Sequence, residues 1–215
     1  MKTLILSDIH GRNNWKKFNF LDYDKVILQG DFLDSYNISP KAQLDNLEEI
    51  IASLLPNSVC LAGNHDFHYL FDWEYYTGYN SSIAIRAKEL LSMMNLKAAC
   101  EVDDFLITHA GVTKTWYDSI PKHGISIEDN INLVWEYKPK LFSFNGKDHY
   151  GEDITQGPFW VRPRALLKDK LDCKQIVGHT YMHIPYTVKG CTFMDNSQYY
   201  SIIENGVLTT KKVES

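Results

Sequence analysis

The 215-residue chain reads as an α/β protein whose N-terminal half is built on a largely parallel sheet. Two observations predict this. Short, β-rich apolar runs alternate with helical segments, and each run empties directly into a polar cluster. A strand–helix–strand–helix–strand order then implies right-handed crossovers between parallel strands.

The first apolar run covers residues 3–6 and stops at Ser7 and Asp8. Lys2 before it gives the look of a secretory leader, but the run falls well below the roughly 7 to 15 apolar residues such a core needs, so it reads as a strand. A helix is expected around residues 14–20, and a second buried strand over 25–28. Pro40 opens the most periodic segment of the chain, with Leu44, Leu47, Ile50, Ile51, Leu54 and Leu55 on one face, and Pro56 stops it. The third strand is placed at 58–61. After Asp66 comes an aromatic stretch holding Tyr69, Phe71, Trp73, Tyr75, Tyr76 and Tyr79, then a helix from about 82 to 94. Further strands are expected at 105–108 and 175–177. The tail alternates over 192–195, 199–203 and 207–213, and Asn205-Gly206 between the last two is a hairpin signal because both residues accept positive φ. With no repeat, low-complexity region or linker, residues 1–215 are expected to form a single domain.

Composition narrows the class. A hydrophobic fraction of 44% and a charged fraction of 23% describe a globular chain rather than a disordered one. No segment approaches the roughly 18 apolar residues of a membrane span, so no membrane role is expected. A net charge of -5 counts against extended nucleic-acid binding, which usually needs a basic face. Cys60, Cys100, Cys173 and Cys191 are widely spread with no C-x-x-C pair, which suits reduced thiols filling core positions in the cytoplasm.

Five polar clusters follow expected strands: Ser7-Asp8-Ile9-His10-Gly11, Gly30-Asp31-Phe32-Leu33-Asp34, Gly63-Asn64-His65-Asp66, Thr108-His109-Ala110-Gly111 and Gly178-His179-Thr180. C-terminal strand ends of open α/β sheets gather into one crevice, so loops distant in sequence can build one site there. Mixed imidazole and carboxylate donors suit manganese, iron or zinc. Two such ions about 3.5 to 4 Å apart can clamp the attacking and leaving oxygens of a phosphoryl group and lower the pKa of a shared water.

In this order, the motifs D-x-H-G, G-D-x-x-D, G-N-H-D, T-H-A-G and G-H-T resemble the calcineurin-like metallophosphoesterases over residues 8–180. The resemblance implies a four-layer αββα sandwich of two mixed sheets flanked by helices, with the metal site at the C-terminal strand ends. It implies that Asp8, His10 and Asp31 hold a first metal and that Asp31, Asn64, His109 and His179 hold a second. Both are divalent, with manganese expected and iron or zinc acceptable. His65 would protonate the leaving oxygen and Asp34 would orient it. The tail and the segment Phe159-Trp160-Val161-Arg162-Pro163 resemble the bacterial serine/threonine phosphatase and diadenosine tetraphosphatase branch, which implies that Arg162 contacts phosphate. Ser35 and Ala62 stand where that branch carries arginines, Asp66 where it more often carries glutamate, and Tyr181 where some relatives carry a further histidine.

The expected activity is metal-dependent hydrolysis of phosphomonoesters, on a phosphorylated protein or small molecule, by a hydroxide bridging two metals. Hydrolysis of a dinucleoside polyphosphate or another nucleotide is the competing enzyme reading, and a non-catalytic binding scaffold the competing class. His68, His123, His149 and His183 lie outside the motifs and are read as surface or hydrogen-bonded residues. The aromatic run from Tyr69 to Tyr79 is read as packing or a small cap before it is read as a ligand wall. Arg12 and Arg164 are weaker phosphate candidates than Arg162.

Overall fold

The computed structural model describes residues 1–145 and 150–214; the reading of His149 lies outside them. The chain groups into two compact units, Met1–Leu96 with Ser197–Ser215, and Lys97–Asn196. Each is organised on one five-stranded mixed sheet with helices beside it.

In the first unit, β1 (Lys2–Leu6), β2 (Lys25–Leu28) and β3 (Ser58–Cys60) run parallel, and β9 (Tyr199–Glu204) and β10 (Val207–Lys212) extend the sheet antiparallel beyond β1. The order is β10-β9-β1-β2-β3. Leu4, Ile5, Val26, Ile27 and Leu28 have no solvent exposure, which is why these runs are continuously apolar instead of alternating. The hairpin turn falls where expected, with Asn205 at φ 52° and Gly206 at φ 77°.

Helix α1 (Pro40–Ser53) starts on Pro40, and the Ser39 hydroxyl caps it by accepting the Ala42 N–H. Its inward face is more polar than the leucine pattern suggests: Gln43 and Asn46 are buried with Leu47 and Ile50, while Leu44 and Ile51 are half-buried. Helices α2 (Asn64–Leu70) and α3 (Ala84–Met93) complete the unit.

The helix expected at 14–20 is instead two 3₁₀ turns, Asn14–Lys17 and Phe20–Asp22. Only Trp15 and Phe20 are buried there, a spacing of five that no single helical face provides, and the Asn19 side chain accepts the Leu21 N–H in place of a continuing turn.

The second unit carries the sheet β4-β5-β6-β8-β7, from β4 (Ala99–Val102), β5 (Phe105–Thr108), β6 (Lys174–Val177), β7 (Tyr186–Val188) and β8 (Cys191–Phe193). Strands β5, β6 and β8 are parallel, and β4 and β7 are antiparallel edges. With α4 (Lys114–Ser119), α5 (Ile127–Tyr137) and α6 (Pro163–Asp169) it encloses an aromatic core in which Trp116, Trp135 and Phe159 each meet a neighbouring ring edge-on at 5.1 to 5.2 Å.

Among the described residues no helix is long and apolar enough to cross a membrane. No disulfide joins the four cysteines; Cys60, Cys100 and Cys191 are buried and Cys173 is half-buried, in line with a core-filling role.

Candidate active site

Strand β1 ends at Leu6 and β2 at Leu28, and their polar loops are stitched together by backbone. Ile9 N–H donates to Gly30 O at 3.4 Å, His10 N–H to Asp31 O at 2.6 Å, and Gly11 N–H to Phe32 O at 2.8 Å. This pairing twists the chain sharply. Asp8 (φ 48°), His10 (φ 44°), Asp31 (φ 51°) and Asp34 (φ 67°) all occupy the left-handed region, which costs a non-glycine residue about 1 to 3 kcal/mol and persists only where surrounding structure imposes it.

The imposing structure is visible. Gly63 lies so close to Asp31 that a Cβ there would sit 2.2 Å from Asp31 Oδ1. Asp66 Oδ2 accepts the Gly63 and Asp31 N–H groups at 2.9 and 2.8 Å, and its Oδ1 accepts the Phe32 N–H at 2.9 Å. The His65 N–H donates to Asp31 Oδ1 at 2.9 Å.

Asp8, His10 and Asp31 each offer one donor atom within 4.8 Å of the others. A carbonyl can only accept, so the 2.7 Å contact between His10 Nδ1 and Leu33 O puts the imidazole proton on Nδ1. Nε2 then faces Asp31 Oδ2 at 3.6 Å with a lone pair. Burial lowers the His10 pKa, the Asp31 charge opposing it. A neutral imidazole fixed by a carbonyl behind it, beside two buried carboxylates, is the donor set a divalent metal takes. The Ser7 hydroxyl donates to Asp8 Oδ2, and Arg12 Nη1 to Asp8 O at 3.1 Å.

The fourth motif residue, Asn64, is buried at the start of α2, so Gly63-Asn64-His65-Asp66 is the entry to a helix and not the open loop its polarity suggested. His65 Nδ1 lies 2.8 Å from Asp34 Oδ2, the expected pair, and its ring meets the edge of His10 at 5.2 Å. Burial pulls the His65 pKa down, but the Asp31 charge and the Asp34 hydrogen bond and charge outweigh it and push it up to about 9. Burial likewise raises Asp34, while hydrogen bonds from His65 and Tyr69 and the close His68 ring reverse the sign and hold its carboxyl below the usual range.

His68 and Tyr69 were not singled out by the motifs. His68 is fully buried with Nε2 2.7 Å from Asp34 Oδ2, and the Tyr69 hydroxyl donates to Asp34 Oδ1 at 2.6 Å. The signal was present in the spacing: on a helix, residues 65, 68 and 69 share one face.

In the second unit, His109 leaves β5 and His179 leaves β6. Their rings are 5.2 Å apart, and Gly178 N–H donates to His109 O at 2.7 Å. His109 has no solvent exposure, and His179 sits at φ 64°, strained like the first-unit residues. The Gln175 side chain pairs with both backbone groups of Val112 at 2.8 and 2.9 Å, tying the chain that leaves β5 to the first half of β6. Arg162 is half-buried just before α6, its N–H donating to Gly151 O at 3.1 Å, and Trp160 lies 6.3 Å from the His179 ring. Arg164 is exposed.

Similar folds occur among solved structures. A cold-active protein-tyrosine phosphatase of a psychrophilic Shewanella species superposes with a TM-score of 0.63 at 16% identity, over 99% of this chain and 80% of that one. A metallophosphoesterase from Sphaerobacter thermophilus gives 0.52 at 18% identity, over 100% and 88%. A protein serine/threonine phosphatase from Saccharomyces cerevisiae gives 0.53 at 14% identity, over 100% and 80%. At these identities the likeness is one of fold. No curated protein sequence matches the chain. The family model of the calcineurin-like phosphoesterases, however, matches residues 1–205 and so takes in every motif described above, and the chain belongs to that family.

Proposed function

We propose that this phosphoesterase is a dinuclear metal-dependent hydrolase acting on phosphomonoesters of a protein or a small molecule in the cytoplasm. One observation carries the reading: Asp8, His10 and Asp31 converge beside an imidazole, His65, that a buried carboxylate already orients. Asp8, His10 and Asp31 would hold one divalent ion, and Asp31, Asn64, His109 and His179 the other, with manganese the leading candidate. When bound, such ions polarise the phosphoryl group and lower the pKa of a water.

The remaining work falls to the chain's own groups. Asp31, common to both donor sets, would hold the two ions together. The Arg162 fork binds phosphate oxygens bidentately, a task that Ser35 cannot perform in the position where relatives carry arginine. His65, its Nδ1 proton held by Asp34, presents Nε2 to the leaving oxygen and gives it a proton.

A turnover panel tests this directly: aryl and alkyl phosphates, phosphopeptides, mononucleotides, cyclic nucleotides and diadenosine tetraphosphate, after chelation and with manganese, iron or zinc restored. Activity lost on chelation, returned by metal and highest on monoesters is the expected outcome. Highest turnover on diadenosine tetraphosphate would move the assignment to nucleotide hydrolysis. Metal binding without turnover of any substrate would leave a binding scaffold.

A further inference from the structure

Asp34 has more polar neighbours than the orientation of one imidazole requires. Its Oδ2 contacts His65 Nδ1 at 2.8 Å and His68 Nε2 at 2.7 Å, and its Oδ1 accepts the Tyr69 hydroxyl at 2.6 Å. Behind them, the Tyr76 N–H donates to His68 Nδ1 at 3.3 Å and the Asn80 N–H donates to the Tyr69 oxygen at 3.1 Å. An imidazole whose Nδ1 accepts from a peptide N–H keeps its proton on Nε2, so His68 sets a polar N–H edge 2.7 Å from Asp34 Oδ2, in close contact though out of line for a hydrogen bond. The segment 71–80 also passes directly against the carboxylate: a Cβ on Gly78, at φ 99°, would lie 3.0 Å from Asp34 Cβ and Oδ2.

A carboxylate on a loop residue rotates about two side-chain bonds, and one contact to His65 fixes neither its plane nor its depth. The Tyr69 hydroxyl as a donor and the His68 ring packed against Oδ2, both on the helix that carries His65, fix both.

We infer that His68 and Tyr69 are positioning residues for proton delivery: they lock the Asp34 carboxylate that aims His65, and through Tyr76 and Asn80 they fasten the aromatic segment 71–80 over it. The inference rests on His65 serving as the acid proposed above. Neither residue touches the reacting atoms. Their effect passes through Asp34 to the His65 ring, whose Nε2 must meet the leaving oxygen in line.

The decisive variant is Tyr69→Phe, which removes one hydroxyl and keeps the ring in the core. With the metals loaded, kcat on an alkyl phosphate should fall about tenfold, the worth of one hydrogen bond to a charged acceptor. KM, metal stoichiometry and kcat on 4-nitrophenyl phosphate should hold. In an Asp34→Ala background the same change should cost nothing further, since the acceptor it acts through is gone. His68→Gln, which keeps an N–H donor, should lose less than His68→Leu. In the chelated protein, the downfield Nδ1 proton resonance of His65 should shift or broaden in Tyr69→Phe. Equal losses on both substrates, or an unmoved resonance with unchanged kinetics, would overturn the positioning role. The two readings separate through His65→Asn. If that variant discriminates between leaving groups and Tyr69→Phe does not, only the positioning role falls. If His65→Asn does not discriminate either, the acid itself is misassigned and the inference falls with it.

Discussion

Asp66 holds Asp31 by its backbone and not its side chain: Asp66 Oδ2 accepts the Asp31 N–H at 2.8 Å while Asp66 Oδ1 takes the next N–H, that of Phe32, at 2.9 Å. The same Oδ2 also accepts the Gly63 N–H at the head of α2. One buried carboxylate therefore ties two motif loops together and leaves the Asp31 carboxylate to other partners.

Replacing Asp66 with Asn should be costly for that reason. The amide can offer one oxygen to three N–H groups and brings its own N–H₂ against a donor, so a loss of about 1 to 3 kcal/mol is expected in urea unfolding. Metal affinity should weaken as Asp31 relaxes from its left-handed backbone. Unchanged stability in the variant would show that the Gly63 and Asp31 loops are held by other means.

Asp31→Asn should remove metal and activity together, with turnover falling by about 100-fold or more. The change keeps the shape and removes the charge. Elemental analysis of the purified variant gives the answer, and two tightly held metals with near-normal turnover would exclude Asp31 as their shared ligand.

Much of this arrangement was legible in the residues. Strands β1, β2, β5 and β6 are short runs with both faces buried, so each announces itself as an apolar block ending in a polar cluster. The edge strands β4 and β7 gave no such block, since β7 exposes Tyr186 and Thr187. The inner face of α1 escaped a count of leucines because its buried amides serve specific partners. Asn46 accepts the Trp15 indole N–H at 2.9 Å, and Gln43 accepts the Ser35 N–H at 2.9 Å while donating to Ser35 O and Ile38 O. Polar burial of this kind depends on tertiary geometry that no periodicity encodes. The same limit hid His68 and Tyr69, whose helical spacing mattered only once residues 64–70 were known to be a helix.

Arg162→Lys should raise KM or lower kcat about tenfold with metal content intact, because lysine keeps the charge and loses the fork that matches phosphate. Steady-state kinetics on one substrate settles it. Wild-type constants in Arg162→Ala would move the clamp to Arg12, whose guanidinium already reaches the Asp8 carbonyl, or to Arg164.

The cysteines make a prediction independent of the metals. Burial pushes the Cys60 thiol up to about 12 and Cys191 up to about 11, so at pH 8 almost none of either is thiolate, the reactive form. Native labelling with iodoacetamide at pH 8 should modify the half-buried Cys173 first and leave Cys60 and Cys191 intact, as peptide mapping would show. Their labelling should rise only as pH climbs toward those values or as the protein unfolds. Early modification of Cys60 in folded protein would mean that β3 opens more readily than its burial suggests.

His65 supports the sharpest prediction about chemistry. Its Nδ1 is committed to Asp34 at 2.8 Å and its backbone N–H to Asp31 at 2.9 Å, so ring and main chain are both fixed and Nε2 alone is left to act. An alkoxide leaves poorly without a proton, whereas a nitrophenolate leaves readily without one. If His65 supplies that proton, His65→Asn should slow hydrolysis of an alkyl phosphate by roughly 10² to 10⁴, the usual worth of a positioned acid, and slow a nitrophenyl ester far less. Asp34→Asn should give a milder copy of the same split, because it frees the imidazole to turn without removing it. Metal content measured beside the kinetics separates this from simple loss of the site. Equal losses on both substrates, with metals still bound, would mean that His65 stabilises the phosphoryl group and not the leaving oxygen.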